Sequence, residues 1–138
     1  MINEEYIKKF LENFKKKHKR NCIFAIDFDN TLFFTEFPVI IKPNQLLIDF
    51  IKILKKHNAF LILWTCRTGK DLEDAVIACK EVGIIFNKIN DHSDIMKERF
   101  HNSDGRKIYA DYYLDDRAFN INSKINNVYL ENILTYHV

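Results

Sequence analysis

Apolar and polar positions follow two rhythms along this chain, and the first is helical. Over residues 3–19, Tyr6, Ile7, Phe10, Leu11 and Phe14 recur three and four positions apart, with Lys8, Lys9, Lys15, Lys16 and Lys17 between them. That spacing predicts an amphipathic helix whose lysines form a solvated face rather than a nucleic-acid or membrane patch. The second rhythm is an unbroken apolar run, as in residues 22–26 and 60–64; residues 84–89, apolar except for Asn87 and Lys88, read as a third strand. Such runs mark strands buried on both faces of a parallel sheet.

Between these runs the helical period returns. Pro43 and Asn44 open a helix carrying Leu46, Leu47, Phe50, Ile51 and Leu54, which His57 and Asn58 should end. A further helix is expected from Asp71, as its cap, to Gly83, with Leu72, Ala75, Val76 and Cys79 inward. Residues 32–42 are aromatic and β-branched, contain Pro38, and read as an extended flap. Residues 90–106 are polar, with one or two helical turns around Ile95 and Met96 and a turn at Ser103, Asp104 and Gly105. A last short strand, Tyr112, Tyr113 and Leu114, runs into Asp115 and Asp116. Val128, Tyr129 and Leu130 fit either an edge strand or the start of a closing helix. Trp64, Tyr112 and Tyr113 lie inside apolar strands and are expected to be core aromatics.

Strands alternating with helices imply right-handed crossovers and an α/β three-layer α/β/α sandwich around a central parallel sheet. With 138 residues, 47% of them hydrophobic, the chain has material for one core. We expect a single domain over 1–138, with an N-terminal helix in 1–20 and a catalytic core over 22–117. The net charge of +2 does not indicate an obligate nucleic-acid binder. No apolar stretch approaches a membrane span, and the first residues are too charged for a signal peptide. Three cysteines, Cys22, Cys66 and Cys79, leave one unpaired in any disulfide scheme, so reduced thiols and a soluble cytoplasmic protein are expected.

The chemistry concentrates where apolar runs stop. Asp27, Asp29 and Thr31 follow the first run, Thr65, Cys66 and Arg67 the second, and Asp115 and Asp116 the last. Open α/β sheets bind ligands at the carboxyl ends of their strands, which gathers these residues on one edge. Asp27 and Asp29, two apart in extended backbone, converge on one ion. Four carboxylates with no Cys or His among them favour Mg²⁺ over zinc, and Mg²⁺ in such sites works on phosphate.

Asp27 is then the nucleophile that forms an aspartyl-phosphate, and Asp29 the acid and base. Thr65 offers a hydroxyl to the transferring phosphoryl group. Lys107, ahead of Asp115 in the chain, offers an ammonium and is preferred to Lys70. Thr31, Cys66 and Arg67 flank the acids as substrate contacts. Arg67 reads equally as a phosphate contact or a surface salt bridge. Cys66 is expected to be buried and not a nucleophile. His92 and His101 read as polar loop residues. A lone D-x-D-x-T arises by chance in many chains, and an acidic pair alone could cap a helix; the order and the apolar run before each carry the reading.

These motifs, Asp27-Phe28-Asp29-Asn30-Thr31, Thr65, Lys107 and Asp115-Asp116, resemble those of the haloacid dehalogenase (HAD) superfamily over roughly residues 22–117. Residues 61–69 and 107–118 are similar to a small bacterial and phage group of cap-less hydrolases within it. The resemblance implies a HAD-like Rossmannoid fold and a Mg²⁺-dependent phosphatase acting on a phosphomonoester. It also implies Mg²⁺ ligation by Asp27, the backbone carbonyl of Asp29, and Asp116 of the terminal pair. Asp29 argues for phosphoryl rather than carbon–halogen chemistry, and Asn30 stands where the superfamily usually has Gly. Neither residues 32–43 nor 90–106 have room for a cap domain. An open site suits a phosphorylated macromolecule as well as a small molecule, or a neighbouring subunit that excludes water. Nucleotidase and nucleic-acid 3′-phosphatase activities are specific forms of this expectation. The other class is a non-catalytic phosphate-binding or regulatory module of the same fold.

Overall fold

The computed structural model describes residues 2–103 and 105–118. Val128, Tyr129 and Leu130, and Asp104 of the expected turn, lie outside the described residues. A four-stranded parallel sheet organises the chain, built from β1 (Ile23–Ile26), β4 (Phe60–Leu63), β5 (Lys88–Ile89) and β6 (Tyr112–Leu114). The strand order is β5-β4-β1-β6, so β1 lies inside the sheet with β4 and β6 as neighbours. This is the α/β sandwich the apolar runs predicted.

Alternation along the strands divides the core between the two faces. Phe24 and Ile26 of β1, with Leu61 and Leu63 of β4, pack against Ile7 and Leu11 of α1 (Glu4–His18), Ile48, Ile51 and Leu54 of α2 (Gln45–Lys56), and Ala75 and Cys79 of α3 (Gly69–Glu81). Ile23, Ala25 and Ile62 point the other way, onto Met96 of α4 (Asp94–Arg99), Ile108 and Ala110. Among the described residues this second layer consists of a helix of six residues and a stretch of irregular chain.

Each helix end has a local cause. The Asn3 side chain accepts from Tyr6 N at the start of α1, and Lys19 in left-handed conformation closes it. Ser93 caps α4 in the same way, accepting from Met96 N. The start of α3 corrects the expected cap. Thr68 occupies that position, Gly69 at φ +55 turns the chain into the helix, and Asp71 sits in the first turn, where its charge meets the helix dipole. Gly83, at φ +87, follows the helix as expected.

Four other expectations change. Leu46 and Tyr6 are exposed, and Ile48 fills the core position on α2. Tyr112 is half exposed, because β6 is the edge strand; its ring meets Phe10 and Phe24. The third run forms only a two-residue strand. Asn87 explains why: its backbone N–H donates to Leu61 O while its side-chain oxygen accepts from Leu61 N, replacing the strand ladder. Finally, His92 is buried. Its Nδ1 accepts from Tyr109 N at 3.2 Å, which puts the proton on Nε2, facing Gly105 O at 3.1 Å. The ring ties residue 92 to residues 105 and 109.

The flap is an antiparallel hairpin of β2 (Phe33–Glu36) and β3 (Val39–Pro43). No described helix is long and apolar enough to cross a membrane.

Candidate active site

At the carboxyl end of β1 the chain leaves the sheet through a tight turn in which Phe28 O accepts from the backbone of Thr31, Leu32 and Phe33. Asn30 holds φ +56 there, a left-handed conformation that Asn tolerates well. The turn presents Asp27 and Asp29 to a cavity of about 380 Å³. Asn30, Thr35, Phe37, Thr65, Cys66, Arg67, Asp115, Asp116 and Arg117 complete its lining. The acidic residues from the two ends of the sequence therefore meet across the β1–β6 pair.

Asp27, Asp115 and Asp116 each offer a carboxylate oxygen within 4.8 Å of the others. Thr31 braces this group. Its Oγ1 lies 3.1 Å from Asp27 Oδ2 and accepts from Asp116 N at 3.1 Å. It is buried and does not line the cavity, so it positions the acids and is not the substrate contact expected. Burial, the neighbouring Asp115 charge and the contact with Asp116 push the Asp27 carboxyl up to about 7. Three carboxylates in such proximity suit a hard cation, the class to which Mg²⁺, Mn²⁺ and Ca²⁺ belong.

Asp29 belongs to a different group. Its carboxylate takes Arg67 Nε at 2.9 Å and Nη2 at 2.7 Å, and Thr35 Oγ1 at 2.8 Å. Burial alone would raise its pKa, but the hydrogen bonds from Arg67 and Thr35 hold it below the ordinary carboxylate range. The side chain is not part of the cluster of Asp27, Asp115 and Asp116. Only its backbone carbonyl remains open to the ligand role the resemblance implied.

Arg67 is 2% exposed, which excludes the surface salt bridge. Besides Asp29, it donates to Asp71 O and Pro38 O, and its guanidinium lies between the rings of Phe28 and Phe37. One side chain thus joins the acid turn, the flap and α3. Thr65, buried at the end of β4, accepts from Arg67 N through Oγ1, while its own N–H donates to Asn90 Oδ1. Its hydroxyl proton remains available to the cavity. Cys66 is exposed on the rim, not buried as expected; the buried thiols are Cys22 and Cys79, both pushed up to about 12 by burial.

Lys107 is not brought to this cavity. Its Nζ sits 5.2 Å over the Tyr113 ring, and it lines a separate cavity with His92, Arg99 and Phe100. Lys70 is no substitute: it is paired on the surface with Asp74 at 2.7 Å. The cations at the candidate site are Arg67, committed to Asp29, and the exposed Arg117. Phe37 and Thr35 belong to the flap segment 33–37, on whose shape substrate choice is expected to depend, and Asn30 to the acid motif. Arg117 was not foreseen, its place directly after the acidic pair being the one signal for it.

Fold and site together define an α/β protein with a carboxylate-lined cleft at the carboxyl end of its parallel sheet. The chain is similar to a solved structure of a conserved protein from Bacteroides thetaiotaomicron, with 26% identity and a TM-score of 0.62, over 86% of this chain and 93% of that one. No protein-family model and no curated protein matches it.

Proposed function

We propose that this chain is a HAD-type, Mg²⁺-dependent phosphomonoester hydrolase acting through Asp27. The observation that carries the reading is the convergence of Asp27, Asp115 and Asp116 within 4.8 Å at the end of the central strand. Asp27 and Asp116, with the Asp29 carbonyl, would hold the ion. A bound Mg²⁺ supplies the positive charge that offsets repulsion between these carboxylates and an anionic phosphate.

An Asp27 oxygen attacks phosphorus and the bond to the leaving oxygen breaks, giving an aspartyl-phosphate; water then attacks that phosphorus and returns the carboxylate. Thr65 Oγ1 and Arg117 are the donors for the phosphoryl oxygens, Arg117 taking the part expected of Lys107. Asp29 is ionised and its oxygens already accept from Arg67 and Thr35, so the leaving oxygen takes its proton from solvent and the attacking water gives its own to solvent, while Asp29 positions Arg67 and the flap. The free thiols Cys22, Cys66 and Cys79 support a reducing, cytoplasmic setting.

The test is release of p-nitrophenol from p-nitrophenyl phosphate with Mg²⁺. Wild type is expected to turn over, and Asp27→Asn to lose at least about a thousandfold with its fold retained, as removal of a nucleophile does. Unchanged turnover in Asp27→Asn would remove this residue from the role.

One observation favours a second reading, a non-catalytic phosphate-binding or regulatory module. Asp29 is held ionised by Arg67, so it has no proton for a leaving group, and neither Lys107 nor Lys70 reaches the cavity. Saturable binding of phosphorylated ligands with no phosphate release over a broad panel would decide for the module.

A further inference from the structure

Phe37 is the unexplained residue of the cleft. It lies between β2 and β3, it is 65% exposed, and yet it lines the same cavity as Asp27, Asp115 and Asp116. An aromatic ring that leaves most of its surface in water at the rim of a polar cleft contributes little to the core. Its position is nevertheless fixed. The Arg67 guanidinium stacks 5.1 Å from its centroid, and the same arginine is anchored by the bonds to Asp29 and by Pro38 O, the residue after Phe37. Behind the guanidinium lies Phe28, at 4.9 Å, which is fully buried. The series Phe28–Arg67–Phe37 therefore runs from the core to the cleft and ends in a ring that is 65% exposed at the cavity.

We infer that Phe37 is a stacking platform for a nucleobase, and that the phosphomonoester taken by this cleft is a nucleoside monophosphate. The inference rests on the phosphohydrolase reading for its reaction and on the Phe37 stack for its substrate. A leaving group that carries a flat aromatic base gains dispersion and ring-polarisation energy on such a platform, whereas a bare sugar or glycerol offers only its edges. Asn30 distinguishes among aromatic groups. Its Oδ1 accepts from Thr35 N, which leaves its amide N–H₂ as a donor on the cavity wall. A nucleobase edge carries acceptors for that group; a tyrosyl ring carries none. Arg117 and Thr65 remain for the phosphate, and 380 Å³ falls within the range of small-molecule sites.

Adenosine monophosphate and ribose phosphate differ only in the base, so the pair isolates the platform. With the full-length chain and Mg²⁺, kcat/KM for adenosine monophosphate is expected to exceed that for ribose phosphate by about tenfold or more. Phe37→Ala should collapse that ratio, chiefly through KM of the nucleotide, and Phe37→Trp should keep it. A flap residue with a merely structural role would lower both substrates together and leave the ratio as it was, which would overturn the inference, as would preference for a phosphotyrosine peptide. Equilibrium dialysis of the same two ligands separates this from the reaction. Selective nucleotide binding lost in Phe37→Ala, without turnover, overturns only the hydrolase reading; equal binding of both ligands overturns the platform.

Discussion

Three carboxylates held within 4.8 Å oppose folding unless protons or a cation sit among them. Asp27 records this opposition. Its carboxyl is pushed up to about 7 from an ordinary 3.8, so between about pH 4 and 7 the folded chain keeps a proton that the unfolded chain has released. The stability it contributes is complete below about pH 4 and is lost as pH rises through 7. Asp29 and Asp111 behave in the opposite sense. Burial raises each, but hydrogen bonds from arginine, Arg67 for one and Arg20 for the other, outweigh it and lower both. Their contribution is present above about pH 4 and is lost only below it, so the windows separate. A divalent ion competes with the proton on Asp27. The upward shift in Tm produced by Mg²⁺ is therefore expected to be larger at about pH 8 than at about pH 5. Differential scanning fluorimetry of the chelator-treated protein measures it, and equal shifts at the two pH values would refute ion binding at this carboxylate.

The same scale shows what the sequence could and could not disclose. Asp27, Asp115 and Asp116 were legible because each follows an apolar run, and a strand end fixes where the next side chain goes. The position of Lys107 was not, because order along the chain says nothing of which way a long side chain folds, and a ring at Tyr113 lies within its reach. Arg67 was half legible. Arginine is exposed by default, and nothing local announces that Phe28, Phe37 and Asp29 will enclose it.

Among the elements, β1 and β4 were readable as continuous apolar runs and β5 was not. Residues 84–89 have the composition of a strand, but Asn87 inside the run satisfies Leu61 through its side chain, and only Lys88 and Ile89 pair regularly. Asn87 Oδ1 also accepts from Lys55 Nζ at 2.8 Å, linking α2 to the sheet edge. Replacement by Ala leaves the Leu61 N–H, in the middle of β4, without its partner. Asn87→Ala is expected to lower unfolding free energy by about 1–3 kcal/mol, read from urea denaturation, and an unchanged midpoint would show that water replaces the amide. Flap and α4 were legible as elements, and the flap as a segment on which substrate choice depends, but the contacts it makes were not. The hairpin matters because Thr35 and Pro38 hold Asp29 and Arg67 in place, contacts between segments that no local pattern encodes.

At the scale of the molecule, the described residues cover the two faces of the sheet unequally. Helices α1, α2 and α3 cover one face of the sheet, while α4 and residues 105–110 cover the other. A buried ion pair, Arg20 with Asp111 at 2.7 Å, joins the end of α1 to the start of β6. Thr31 joins β1 to β6 at the other end, through Asp27 and Asp116. The acidic site is thus assembled by the pairing of two strands far apart in sequence, with the flap and the segment after β4 beside it. That makes ion binding the property on which the whole account depends. Calorimetric titration of the metal-free chain with Mg²⁺ at about pH 8 tests it most directly. One ion per chain is expected, with affinity at least about tenfold lower in Asp116→Asn and in Asp27→Asn. A chain that takes up no Mg²⁺, or variants that bind it as wild type does, would contradict the account.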